Sequence, residues 1–128
     1  MILFKPDMKQ AILRGDKTVT RRQGKKRWNV GAIHQCRTQM LGEPFARVRI
    51  VGVSYENYPG EYLRRKYSHA PAHHPDLLRE NDEEGRREGF YGWAEFWDAY
   101  AEINGPASIQ EPCWRVEFEL VEVLEAEE

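Results

Sequence analysis

Two stretches of strict alternation, one in the middle of the chain and one near its end, constrain the fold more than any other feature. Over Phe45–Val53, Ala46, Val48 and Ile50 fall on one side, while Arg47 and Arg49 fall on the other. Over Cys113–Val123, Trp114, Val116, Phe118 and Leu120 alternate with Arg115, Glu117 and Glu119. A period of two is that of a strand with one buried face. The phase is lost at Val51-Gly52-Val53, which reads as a bulge or as a strand covered on both sides. Ile2–Phe4 and Val30–Thr38, the latter after a turn at Trp28-Asn29, supply two further strands. Strands at the start, middle and end of a chain must pair across long sequence separations.

The helices fall between these strands. Pro6 suits the first position of a helix and Asp7 favours its positive end. Met8, Ala11 and Ile12 share one face, Arg14 complements the last turn, and Gly15 can take the positive φ of a helix stop. Asn81 reads as the cap of a helix ending at Glu88, with Glu84 completing a capping box and Gly89-Phe90 as the stop. Trp93, Phe96, Trp97, Tyr100 and Ile103 recur at helical spacing, and we read this aromatic stripe as core. Asn104-Gly105-Pro106 ends that helix. The segment 55–79, with Pro59, Gly60, Pro71 and Pro75, is expected to be a surface excursion with one short helical piece. The order of elements predicts an α+β fold, a compact β-barrel flanked by short helices.

At 128 residues the chain fits a single domain, 1–128, and its 41% hydrophobic content fills one modest core. No apolar run is long enough to span a bilayer, and two distant cysteines, Cys36 and Cys113, suit a reducing compartment. A cytoplasmic protein, monomeric by default, is expected. The formal charge of −2 hides an asymmetry. Arg14, Lys17, Arg21, Arg22, Lys25, Lys26 and Arg27 crowd one early segment, whereas the end from Glu117 to Glu128 is acidic, and its Glu-rich C-terminus is expected to be a frayed, solvated tail. Such blocks point to a local anion-binding face.

Gly15-Asp16-Lys17-Thr18-Val19-Thr20-Arg21-Arg22 is the most unusual local pattern. Lys17 and Thr20 are three residues apart, which in a regular strand sends them to opposite faces. If they cooperate, the backbone between them is irregular. Partial burial and the cations Arg21 and Arg22 would lower the pKa of Lys17, so that it could deprotonate Thr20 or a water. The spacing is equally served by a structural reading, in which Lys17 and Arg14 satisfy a helix end and Thr20 is a β-branched strand residue.

The Gly-x-Lys-x-x-Thr-x-Arg pattern after a strand and a short helix resembles the signature of the ASCH domain. Val30-Gly31, Glu88-Gly89-Phe90 before the Trp93–Ile103 helix, and the closing Val116–Leu120 strand extend the likeness. The resemblance implies a PUA-like barrel and a nucleoside or single-stranded RNA as partner. It includes a small type of amidohydrolase that removes the acetyl group of N4-acetylcytidine with a Lys, a Thr and a Glu, using no cofactor or metal. In this chain those residues match Lys17, Thr20 and Glu88, with Glu84 as the other candidate for the acid. The family also holds RNA-binding modules and ribonucleases, so a non-catalytic reading stays open. Glu88 is independently odd, because a carboxylate at a helix C-terminus opposes the dipole. It either pairs with a base such as Arg86 or Arg87 or has a functional role.

For the mechanism, Arg21 or backbone amides near Thr20 are candidates to stabilise an oxyanion. Arg21, Arg22, Lys25, Lys26, Arg27 and Trp28 are the candidate substrate- or RNA-binding residues. Trp28 either stacks on a base or folds onto the core. His69, His73 and His74 lack ligand spacing, and no metal site is expected.

Overall fold

A computed structural model describes residues 1–124, so the last four residues of the acidic tail lie outside the described residues. Five strands, β1 (Ile2–Leu3), β2 (Val19–Arg22), β3 (Ile33–Arg37), β4 (Ala46–Glu56) and β5 (Cys113–Val123), form one sheet in the order β1-β3-β4-β5-β2. The β1–β3 pair is parallel and the other neighbours are antiparallel. The two alternating stretches are therefore partners at the centre of the sheet. Their register slips between Ile50 and Gly52, the site of the expected bulge. The last strand runs from Cys113 to Val123, as the alternation predicts.

The sheet is curled, and its two edge strands approach each other. Arg22 of β2 donates from Nη2 to the carbonyl of Leu3 in β1 at 2.7 Å, and its guanidinium lies 5.3 Å from the Phe4 ring centroid. Inside the curl Ile2, Phe4, Ile12, Phe45, Val48, Ile50, Val116 and Phe118 make the core, as the alternation predicts. The α+β fold expected from the order of elements is thus observed, as an open, curled sheet.

Of the four helices, α1 (Pro6–Leu13), α2 (Glu61–Lys66), α3 (Pro75–Arg87) and α4 (Trp93–Asn104), α1 packs Ile12 into the curl, while α2 meets β4 and α3 and α4 meet Arg21 and Arg115 on the other face of the sheet. Helix α1 begins with Pro6 and ends at Gly15, whose φ is 81°. In α4, Phe96 and Tyr100 are buried as read, but Ile103 is 54% exposed.

The region 55–79 departs from expectation. It contains α2 and the first residues of α3, and it buries Glu56, Pro59, Leu63 and Leu77. Helix α3 starts at Pro75, with the His74 ring accepting from the Asp76 amide, so Asn81 is mid-helix and no capping box forms. Pro75 followed by Asp76 is itself a start signal, since the missing N–H costs nothing in the first turn and the acid suits the dipole. The stop is as read: Gly89 (φ 96°) and Phe90 donate back to Arg86 and Gly85 in a Schellman arrangement.

Candidate functional site

The ends of α1 and α3 bring the motif and Glu88 together. After Gly15 the chain folds back, and the Asp16 and Lys17 amides both reach the Ala11 carbonyl. Thr18 then joins α3 through the Arg87 carbonyl, and regular pairing with β5 begins at Val19. Lys17 thus lies in an irregular segment before the strand, as cooperation with Thr20 requires. Its side chain is 4% exposed, and Nζ donates to the carbonyls of Val19 (2.8 Å) and Glu88 (2.6 Å) and to Glu88 Oε1 (3.2 Å). Those three bonds use all three protons of an ammonium.

Burial pushes the Lys17 pKa down. Glu88 opposes that shift and the charge of Arg22 reinforces it. Gly89 permits the close approach, because a Cβ there would sit 2.7 Å from Met8 Sδ and 3.4 Å from Lys17 Cδ.

Glu88 caps α3 and answers its unfavourable position with bases other than Arg86 and Arg87. Its Oε2 accepts from Arg21 Nη1 at 2.8 Å while Oε1 faces Lys17. Arg21 is fully buried and also holds Glu56 (2.7 Å from Nε) and Glu84 (2.8 Å from Nη2). Burial opposes the charge of Arg21, but Glu88 and Glu56 outweigh it and raise its pKa. Arg115 completes the group, donating to Glu84 from Nε at 2.5 Å and from Nη2 at 2.9 Å. Burial alone would raise the Glu84 pKa, yet Arg115 and Arg21 hold it down to about 2. Lys17, Arg21 and Arg115 therefore balance Glu56, Glu84 and Glu88 in one buried ionic cluster.

This cluster corrects two expectations. Arg21 lines the cavity described next, but its guanidinium is held by Glu56, Glu84 and Glu88, so in this structure it serves the carboxylates and is not a free anion donor. Glu84, the other candidate for the acid, is a structural partner of Arg21 and Arg115 and does not line the pocket described next. Glu56 and Arg115 were not anticipated. Arg115 sits where alternation gives a solvent-facing charge, and only the covering helices make that face an interior.

A cavity of about 250 Å³ opens beside the cluster, between the start of α1, β2 and α4. Lys17, Thr20, Arg22 and Glu88 line it with Phe4, Met8, Phe90, Phe96 and Tyr100. Its size is near the lower end of small-ligand pockets, which run from roughly 300 Å³ upward. Thr20 is opposite Val116 and 2% exposed, and among the described residues its hydroxyl makes no hydrogen bond. No hydrogen bond joins it to Lys17.

Lys25, Lys26 and Arg27 are exposed and lie outside the cavity lining, while Gln23 belongs to it. Trp28 is 6% exposed within the core, so it cannot stack on a base. The loop returns toward β3 there, and the indole fills the curl. Among the described residues no group of His, Cys, Asp or Glu could hold a metal, and no helix is long and apolar enough to cross a membrane.

No protein-family model matches the chain, and no curated protein matches it. Solved structures do. The ASCH domain of Lactobacillus crispatus JV V101 is similar over 89% of this chain and 70% of its own, at 16% identity and a TM-score of 0.58. A protein of Enterococcus faecalis V583 matches over 100% of this chain and 86% of its own, at 13% identity and a TM-score of 0.57. The ASCH protein of Zymomonas mobilis matches over 95% and 70%, at 14% identity and a TM-score of 0.53. At such identities the likeness establishes architecture: the fold of this chain is similar to that of the ASCH domains of L. crispatus and Z. mobilis.

Proposed function

We propose that the chain is an ASCH-family hydrolase of an acylated exocyclic amine on a nucleoside, with N4-acetylcytidine as the substrate to test. The observation that supports this most is the convergence of Lys17, Thr20 and Glu88, all buried, on the lining of one cavity, with the Lys17 pKa lowered by burial. Lysine, hydroxyl and carboxylate in such a site are the parts of a proton relay for acyl transfer.

In the resting site Lys17 is a donor to three fixed acceptors. To act as a base it first yields a proton to Glu88 Oε1, across 3.2 Å. It can then take a proton from the Thr20 hydroxyl, or from a water beside it, as the oxygen attacks the acetyl carbonyl. The C–N bond breaks and the amine departs with the proton carried by Glu88; where water attacks, acetate is released directly, and where Thr20 attacks, a water then hydrolyses the acetyl-threonine ester, giving acetate and restoring the hydroxyl. Arg21 fixes the Glu88 carboxylate through Oε2, which leaves Oε1 for transfer.

A second reading, a pocket that binds a nucleoside or single-stranded RNA without turnover, has its own support. Lys17 uses all its protons on acceptors of the chain and does not contact Thr20 through a hydrogen bond. Incubation with N4-acetylcytidine separates the two. Wild type should release cytidine, whereas Lys17→Met, Thr20→Val and Glu88→Gln should not. Binding without release by wild type would remove the hydrolase reading and leave the binding one.

A further inference from the structure

We infer that Arg22 is the oxyanion donor of the site, its guanidinium holding the acyl oxygen of the substrate as the tetrahedral intermediate forms. This rests on the hydrolase reading of the cavity and adds the group that meets the developing negative charge. Lys17, Thr20 and Glu88 move protons, but none of them answers that charge. When an oxygen attacks the acetyl carbonyl, the π electrons pass to the carbonyl oxygen, and they return as the C–N bond breaks. A fixed donor beside that oxygen stabilises the intermediate between those two events.

The other donors around the cavity are committed. Arg21 gives its guanidinium to Glu56, Glu84 and Glu88, and Lys17 gives its protons to Val19 and Glu88. The amides of Lys17 and Thr18 go to the carbonyls of Ala11 and Arg87. Lys5 also lines the cavity but is exposed, and a charge in contact with water acts weakly. Arg22 is half-buried, and no carboxylate among the described residues pairs with it. Its hydrogen bonds go to main-chain carbonyls, from Nη2 to Leu3 at 2.7 Å and from Nη1 to Arg21 at 3.5 Å. Nε makes none among the described residues, yet it is not sealed from solvent. Most of the donor capacity of a guanidinium is therefore open.

The strand puts Arg22 where this role needs it. Thr20 and Arg22 are two residues apart on β2, so their side chains leave the same face, and both line the cavity. The bond to Leu3 and the Phe4 ring, 5.3 Å from the guanidinium, fix the group across the seam between β2 and β1. Its charge reaches Lys17, whose pKa it helps to lower. Burial lowers the pKa of Arg22 itself, and Glu88 opposes that shift. A carbonyl with its carbon at the Thr20 hydroxyl can thus aim its oxygen at Arg22.

Steady-state kinetics on N4-acetylcytidine test this with Arg22→Gln and Arg22→Lys. The glutamine variant should lose about 10²–10³-fold in kcat with KM within about threefold of wild type, since the bond strengthens in the transition state. Arg22→Lys keeps the charge without the planar fork and should fall between the two. Melting curves report folding, and the lysine variant carries the test if the glutamine one does not fold. Calorimetry with the N4-methylphosphonamidate of cytidine, a tetrahedral anion, supplies an arm that needs no turnover. Wild type should bind it at least about 100-fold tighter than cytidine, and Arg22→Gln should lose that advantage. An unchanged kcat, a change in KM alone, or analogue binding indifferent to Arg22 would overturn the inference and leave the hydrolase reading standing. Arg22-dependent binding of the analogue by a wild type that releases no cytidine would instead refute the hydrolase reading alone.

Discussion

Replacing Glu84 by Gln should cost stability in a way that depends on pH. Glu84 is 3% exposed and takes three hydrogen bonds, one from Arg21 and two from Arg115. Its folded pKa is depressed to about 2 from an ordinary value of 4.5. A depressed carboxylate contributes stability that is complete above the unfolded pKa and is lost as pH falls toward the folded one. The gap corresponds to about 3 kcal/mol at pH 7, and less than half of that remains at pH 3. Glutamine resembles the protonated acid, so the difference between wild type and Glu84→Gln should follow the same course. Urea melts followed by circular dichroism at several pH values measure it. A deficit below about 1 kcal/mol at pH 7, or one that stays constant down to pH 3, would refute the assignment of Glu84 to the ionic cluster.

Thr20→Val should melt within about 0.5 kcal/mol of wild type, because its hydroxyl has no hydrogen-bond partner among the described residues, and should nevertheless abolish hydrolysis. A large fall in melting temperature would show that the hydroxyl has a structural duty. Gly85→Ala should be severely destabilised, by about 3 kcal/mol or more, since a Cβ would sit 2.2 Å from the Gly92 carbonyl carbon. Thermal melting decides, and wild-type stability would contradict the close approach of α3 to the α3–α4 turn. Burial pushes the Cys36 thiol up to about 12 and also raises Cys113, whose nearest acid is Glu56. Neither thiol should react with iodoacetamide at pH 8 until the protein unfolds, and rapid labelling of the native protein in mass spectra would refute this.

The strands of this chain were legible because one face of each is core. Alternation placed Cys113–Val123 correctly, and the broken phase at Gly52 located the bulge. The same rule misassigned Arg115, because it reads any charged position as solvent-facing, whereas here the curl buries one face of the sheet and helices α3 and α4 cover the other at Arg21 and Arg115. Helix α3 was cut short because 55–79 is rich in proline, although Pro75 in fact starts the helix. At the site, the Gly15–Arg22 motif and the misplaced charge of Glu88 pointed to the right neighbourhood. Their partners Glu56 and Arg115 come from distant segments, and no local spacing encodes a pairing made across the sheet. Trp28 shows the converse. An aromatic in a basic loop suits a ligand, but packing took it into the core, while Tyr55 of β4 stays exposed.

The central claim is that Lys17, Thr20 and Glu88 form a relay that cleaves an acylated amine. Quantifying both products from N4-acetylcytidine, with wild type and the well-folded Thr20→Val variant in the presence of a chelator, tests it most directly. The account predicts equal amounts of cytidine and acetate from wild type and neither from the variant. Release by Thr20→Val at the wild-type rate, or none from wild type, would contradict it.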